Sequence, residues 1–479
     1  MISISEFSRQ IFREFPYSPT AGQENLIGVL AEFILSNKSQ LPLFLLEGYA
    51  GTGKTTVVST LVKVLPSAGY NSVLMAPTGR AAKVLSLYAQ RPAFTIHKCL
   101  YRPRVDSDGQ IRLALMPNAA EDTLFIIDEA SMIPDGRNLN DGNIFGKRNL
   151  LEDLIEFVYT GKNCKMLLLG DSCQLPPVGS TGSPALDSLA LKESYFLDVE
   201  TFTLSDVVRQ ALESGILSVA TGIRHKINSA SPAIPFLGKE NKFPDVISIT
   251  GTDLPDCLLE AFNEFGRENT VLITRSNKRA NMFNRAIRER ILFHENEIAA
   301  GDNLMVVRNN YFWLPDDSKA GFIANGDMIE VQSLRRTEEI YGFRFADTTI
   351  RMIDYPDENT FDVKLLLNTL DSENPALSFD ENNRLFNEIL ADYSEIPSWK
   401  KKMEQLRKNA YYNALQIKHA SALTCNKTQG GQWDVVFLEK GYLKDEMIDL
   451  EYLRLLYTAV TRATKKLFLV NFEDRFFSN

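Results

Sequence analysis

Gly48-Tyr49-Ala50-Gly51-Thr52-Gly53-Lys54-Thr55 satisfies the pattern G-x-x-x-x-G-K-[ST]. It follows an apolar run, Leu41 to Glu47, and precedes Thr55 to Leu65, which reads as a helix. Strand, glycine loop and helix are the setting in which such a loop cradles phosphate. Its backbone N–H groups and the helix N-terminus face the phosphate oxygens, Lys54 reaches the β/γ-phosphates, and the Thr55 hydroxyl suits Mg²⁺. Outward from this loop the pattern repeats. Ser72 to Ala76 reads as a strand before Pro77-Thr78-Gly79 and a helix through Leu87, and Thr123 to Ile127 and Lys165 to Leu169 are two further apolar runs ending in polar loops. Strands alternating with helices predict an α/β fold with a parallel sheet. Tyr101 to Met116 breaks the alternation, because two extended stretches flank Asp106-Ser107-Asp108-Gly109, a hairpin signal.

A second alternating region runs from Thr270 to Thr274 into a helix over Asn277 to Leu292. It resumes with Asp434 to Glu439, a helix over Asp449 to Arg462, and Lys466 to Asn471. Between its parts, Asp302 to Val307, Gly326 to Leu334, Tyr341 to Tyr355 and Phe361 to Leu367 read as short strands of an inserted β-barrel, with helical sequence from Arg384 to Tyr412 leading back.

At the ends of the strands stand the groups that chemistry requires. Asp128 and Glu129 close the Leu124-Phe-Ile-Ile run; Asp128 suits the Mg²⁺ shell, and Glu129 can orient or deprotonate an attacking water. Gln174 in Gly170-Asp-Ser-Cys-Gln-Leu-Pro-Pro177 is placed to sense the γ-phosphate. Arg209 and Arg462 lie far along the chain, so they serve as arginine fingers only if two domains close on one nucleotide. The bland alternative for each is a surface arginine.

The 479 residues predict about three domains, and 44% hydrophobic with 24% charged residues is an ordinary globular composition. Five cysteines, none at C-x-x-C spacing, point to a reducing compartment and to neither a disulfide framework nor a zinc site. No run approaches a membrane span, so a cytoplasmic protein with no membrane partner is expected. A net charge of -9 is the wrong sign for a simple nucleic-acid binder, so any such partner needs a locally basic channel. Arg275 to Arg290 holds six basic residues and one acidic, and Lys400 to Lys408 holds five and one; a solvated helix face is the favoured reading of any single such run, and the runs alone do not establish a nucleic-acid groove.

In order along the chain, these segments resemble the motifs of superfamily 1 helicases, closest to the RecD-like and Dda-like branch. The match begins at Gln23, similar to an adenine-recognising glutamine, and passes through Gly48 to Thr56 and Met75-Ala-Pro-Thr-Gly-Arg-Ala-Ala82. It continues with Thr95-Ile-His97-Lys98, Asp128-Glu-Ala-Ser131, Gly170 to Pro177 and Arg209-Gln210, then Asn426-Lys-Thr-Gln-Gly430 and Tyr457-Thr-Ala-Val-Thr-Arg-Ala463. The resemblance implies two RecA-like P-loop NTPase domains, a hairpin inserted in the first and an SH3-like β-barrel inserted in the second. The expected divisions are 1–200, with the hairpin at about 97–119; 201–298 and 412–479 as the two parts of the second domain; and 299–411 as the barrel and helical insertion. It further implies an ATP-dependent DNA helicase that uses ATP and Mg²⁺ and moves 5′ to 3′ on single-stranded DNA into forked duplex, as a monomer.

Gln23, Gly48, Ala50, Gly51, Thr52, Gly53, Lys54, Thr55 and Thr56 are then expected at the nucleotide, with Thr55 and Asp128 at the metal. Lys54, Asp128, Glu129, Gln174, Arg209 and Arg462 are expected in catalysis; Pro77, Thr78, Arg80, His97, Lys98, Thr424, Asn426 and Thr428 are expected along the DNA. For His97 and Lys98, capping the hairpin is the alternative, and for Tyr311-Phe-Trp313 barrel core stands beside a base-stacking platform. The branch commonly carries His where this chain has Asn426, which keeps hydrogen-bonding capacity but cannot become cationic. A nucleotide-gated nucleic-acid or protein binding module without unwinding is the rival reading. Glu129, Gln174 and the two arginines favour turnover over it.

Overall fold

In the computed structural model, the described residues are 2–36, 39–105, 111–136, 149–206, 214–229, 233–238, 243–314, 318, 320, 322–355 and 358–477. The strands of the first half are β1 (Pro42–Gly48), β2 (Asn71–Ala76), β3 (Ala93–Thr95), β4 (Tyr101–Val105), β5 (Ile111–Leu115), β6 (Thr123–Ile127), β7 (Lys165–Gly170) and β8 (Asp198–Leu204). Six of them form one all-parallel sheet in the order β3-β2-β6-β7-β1-β8. Alternate residues of each strand serve opposite faces. Phe44, Leu46, Ile126, Leu167 and Leu169 pack against one helical layer, and Leu43, Leu45, Phe125, Ile127 and Leu168 against the other. Burial on both faces is why these strands read as continuous apolar runs.

The second half holds β9 (Val246–Ile249), β10 (Thr270–Thr274), β16 (Ala422–Thr424), β17 (Trp433–Glu439) and β18 (Ala463–Val470), all parallel, in the order β16-β10-β17-β18-β9. Between β10 and β16 the chain builds a closed barrel from β11 (Asn303–Val306), β12 (Met328–Ile340), β13 (Phe343–Met352), β14 (Phe361–Leu366) and β15 (Leu415–His419). The fifth barrel strand therefore lies beyond 411, inside the segment assigned from sequence to the second alternating region. The expected helical stretch from Arg384 to Tyr412 is two helices, Phe379–Ala391 and Trp399–Lys408, separated by a segment containing Pro397.

β4 and β5 pair antiparallel from Tyr101↔Leu115 to Val105↔Ile111, so the inserted hairpin is present; its expected turn, Asp106 to Gly109, lies outside the described residues. Its root is fixed. Tyr101 and Leu113 are buried in the first-half core, and the Tyr101 hydroxyl donates to Asp153 Oδ2 at 2.7 Å. Among the described residues no helix is long and apolar enough to cross a membrane.

Candidate active site

The C-terminal ends of β1, β6 and β7 lie side by side, with β7 between the other two, and a parallel sheet places its ligand there. β1 runs into the phosphate loop, and the helix Lys54–Val64 starts at Gly53, whose φ of 81° is left-handed and whose missing side chain leaves the first helical N–H groups uncapped. Thr52, fully buried, donates its hydroxyl to Tyr49 O at 2.8 Å and pins the turn. The Lys54 ammonium turns back on the carbonyls of Gly48 and Tyr49. Thr55 and Thr56 stand half-buried at the start of the helix.

Gln23 braces the same loop. Its Nε2 donates to Thr52 O at 3.0 Å, and its Oε1 accepts the Thr20 N–H at 2.9 Å, closing a capping box at the start of the helix Ala21–Leu35. Both ends of the amide are thus engaged by protein, and the geometry makes Gln23 a support for the loop. The opposite end of that helix is held by Lys165, whose buried ammonium donates to Phe33 O and Ile34 O, each at 2.8 Å.

Asp128 and Glu129 follow β6. Glu129 sits at φ 53°, a left-handed conformation that costs a non-glycine residue about 1–3 kcal/mol and is held where it aims a functional group. Its N–H donates to Asp128 Oδ1 at 2.8 Å. Burial, followed by the Glu129 charge, pushes the Asp128 carboxyl up to about 6, against the pull of that N–H, Lys54 and Arg462. A half-buried pair of adjacent acids near the lysine of a phosphate loop fits a divalent cation, with Thr55 and Asp128 as the residues to hold it. After β7, Asp171 is buried, and Gln174 is 7% exposed with its Oε1 buried and without a hydrogen-bond partner. Such an acceptor matches a water or hydroxyl beside a γ-phosphate.

The other wall of the cleft comes from the second half. The helix Leu450–Val460 and the turn after it present Arg454, Tyr457, Thr458 and Arg462 on one side. Arg462, 3% exposed, donates through Nε to Thr458 O and through Nη1 to Gly431 O, and its Nη1 lies 3.7 Å from Glu129 Oε1. The Tyr457 hydroxyl donates to Asp171 Oδ2 at 2.5 Å and accepts the Ala50 N–H at 3.1 Å. Leu175, next to Gln174, has both backbone groups clamped: its N–H donates to Thr458 Oγ1 at 2.9 Å, and its carbonyl accepts from Gln429 Nε2 at 2.6 Å. Tyr49 is covered by Arg224, 4.2 Å over its ring, and its hydroxyl accepts from Asn228. Arg209 lies outside the described residues.

Comparison with known proteins agrees with this constellation. The model of an AAA domain matches residues 29–234, and that of a UvrD-like helicase C-terminal domain matches 419–470; together they take in more than half of the chain. The ATP-dependent RecD2 DNA helicase of Deinococcus radiodurans is 34% identical over 184 residues, which is 38% of this chain but only 22% of that protein. The ATP-dependent DNA helicase dda of Enterobacteria phage T4 is 24% identical over 94% of this chain and 99% of its own length. The chain is similar to superfamily 1 helicases of the RecD/Dda type. A solved Pif1 helicase from Bacteroides, in complex with ADP-AlF3 and ssDNA, aligns over 95% of this chain and 93% of its own at 15% identity, with a TM-score of 0.49.

The residues expected along DNA are distributed unevenly. Thr78 caps the helix Gly79–Ala89 by accepting the Ala81 N–H, and Pro77 is half-buried. Arg80 spans the two halves: its guanidinium stacks 3.8 Å over the Trp433 ring and donates to Gln432 O at 2.9 Å. The barrel covers the same helix end. Asp327 packs so closely on Gly79 that a Cβ there would overlap its carboxylate, and Lys83 donates to Ile353 O at 3.0 Å. Burial lowers the His97 imidazole to about 4, so at neutral pH it is uncharged and offers no cation to phosphate; its ring lies 5.6 Å from that of Tyr101. The Lys98 ammonium lies 4.7 Å over the Phe94 ring. Thr424 and Thr428 are buried, Thr428 donating to Cys425 O, whereas Asn426 is exposed. Trp313 donates its indole N–H to Asn413 O at 2.7 Å and packs against the barrel core.

Roles for Tyr457, Thr458, Gln429 and Asp171 were not read from the sequence, although all four lie inside segments that carry the resemblance. Arg224 and Asn228 gave no signal at all, since the helix Gly215–Asn228 has no motif of its own.

Proposed function

We propose that the chain is an ATP-dependent DNA helicase that translocates on single-stranded DNA, 5′ to 3′, and separates a forked duplex. The two parallel sheets are then two RecA-like motor halves, and the barrel is an SH3-like insertion. RecD2 and Dda bear the name ATP-dependent DNA helicase, and the same activity is extended here. The observation that carries it is the meeting of Arg462 with Glu129 across the cleft, 3.7 Å apart, which joins a hydrolytic carboxylate on one sheet to an arginine delivered by the other. A static clamp needs neither.

In this reading the loop amides and Lys54 hold the polyphosphate, and Thr55 with Asp128 hold Mg²⁺, which when bound neutralises phosphate charge. Glu129 takes the proton of the attacking water, Gln174 orients that water, and Arg462 turns from Glu129 to the charge that builds on the phosphoryl group. The Leu175 clamp transmits the change, since it fastens the residue beside Gln174 to Thr458 and Gln429 of the other half. Both walls belong to one chain, so a monomer suffices.

ATP hydrolysis measured with and without single-stranded DNA tests the reading, together with DNA affinity measured across salt. Stimulation by the strand is expected. The logarithm of affinity should fall with that of salt, with a slope of about -0.7 per phosphate neutralised, despite the net charge of -9. Hydrolysis indifferent to DNA, or salt-insensitive binding, would return the chain to the binding-module reading.

The hairpin is the proposed wedge. Replacing Val105 to Arg112 with a short Gly-Ser turn leaves the buried Leu113 in place, and should keep DNA-stimulated hydrolysis while abolishing or sharply slowing strand separation. Melting a base-pair step costs about 1.4 kcal/mol, a load met only where the strands are forced apart. Parental unwinding by that variant would move the search to the barrel.

A further inference from the structure

One hydroxyl joins three parts of the cleft and takes no part in the chemistry assigned so far. Tyr457 is 1% exposed, and its hydroxyl oxygen is used twice, donating to Asp171 Oδ2 at 2.5 Å and accepting the Ala50 N–H at 3.1 Å. Ala50 lies inside the phosphate loop, where backbone N–H groups are the donors a polyphosphate uses. A side chain of the second half thus holds one of the donors of the first.

The direction in which that amide points follows from its partners. Through Tyr457 it is tied to Asp171, which follows β7, the strand that also leads to Gln174. The Ala50 amide therefore faces the side of the cleft where the terminal phosphate is hydrolysed. Asp171 is a firm anchor, 2% exposed, with its Oδ1 accepting the Cys173 N–H at 3.0 Å.

Building on the ATPase reading, we propose that Tyr457 is a positioning residue that competes with the terminal phosphate of ATP for the Ala50 amide. When the phosphate takes that N–H, the hydroxyl keeps Asp171 and loses only its bond to the loop. The next residue, Thr458, holds Leu175, and its carbonyl accepts Arg462 Nε at 3.0 Å. Release of the loop is thereby passed to both the clamp and the arginine. ADP, which lacks the terminal phosphate, leaves the strut in place, so Tyr457 separates the two nucleotides.

The test is Tyr457→Phe, which removes the oxygen and keeps the ring, made in the full chain on a Glu129→Gln background that does not turn over. N-methylanthraniloyl-labelled ATP and ADP are titrated with Mg²⁺ by fluorescence. ATP affinity should rise about two- to tenfold, the worth of one neutral hydrogen bond, while ADP affinity stays within about twofold. Site-specific 3-fluorotyrosine at position 457, a weaker acceptor of the same size, should move the ratio the same way by less. An unchanged ATP-to-ADP ratio in both variants, or equal weakening of both nucleotides, overturns the assignment. A Glu129→Gln chain with Tyr457 intact that binds neither nucleotide overturns the ATPase reading itself, so the two failures are distinguishable.

Discussion

Replacing Arg462 with alanine is expected to slow ATP hydrolysis by about 10³-fold or more while changing nucleotide affinity far less. An arginine that meets charge only as it develops acts on the transition state and hardly on the bound ground state. The guanidinium is pre-positioned for this: Thr458 O and Gly431 O hold it, and 3.7 Å separates it from Glu129. Arg462→Lys should remain slow, because a point charge on a flexible stem does not reproduce the fork. Single-turnover hydrolysis beside a nucleotide titration reads both quantities, and a thermal melt reports any loss of packing. A rate within a few-fold of the parent would reduce Arg462 to a strut between the halves.

Glu129→Gln should cut hydrolysis by roughly 10²-fold or more and leave ATP bound. Glutamine keeps the length of the side chain and faces the same backbone cost at φ 53°, but cannot accept the proton of the water. It also removes the charge facing Arg462, so the arginine is freed from its resting partner in the same variant. Near-normal turnover would sink the assignment of Glu129 as the base and shift attention to Asp128, whose carboxyl burial already raises to about 6.

Where chemistry dictates residue type at a strand end, the sequence was readable. The phosphate loop, Asp128-Glu129 and Gln174 all stand at the carboxyl edge of the first sheet, because glycine, lysine and carboxylate have few substitutes there. The inserted hairpin and four of the five barrel strands were legible for a related reason, since turn residues punctuate them. β15 was missed because Leu415–His419 follows a helical stretch and sits beside β16, so nothing local says which sheet it joins. Contacts between the halves were illegible altogether. Arg80 reads as a DNA contact, and nothing in the sequence says that Trp433, far away in the chain, lies beneath its guanidinium. Thr424 and Thr428 carry the polarity of a surface contact, yet Thr428 spends its hydroxyl on the Cys425 carbonyl.

The strand order of the second sheet also sets a timetable for synthesis. Every strand of the first sheet has been made by Leu204, so that half can fold while the ribosome continues. β10 emerges by Thr274 with neither neighbour available, because β16 and β17 come only after the barrel, and β9 has no partner until β18 is complete at Val470. At roughly 5–20 residues per second, β10 waits about 8–30 s for β16 and β9 about 11–44 s for β18, both with open edges. The barrel ends the wait of β10. Its closing strand, Leu415–His419, runs almost directly into Ala422–Thr424, so sealing the barrel delivers β16 to the edge of β10. A nascent chain stalled before that point carries a finished first half and an adhesive second one, which makes the stretch from Thr274 to Leu415 the interval in which a chaperone has most to protect.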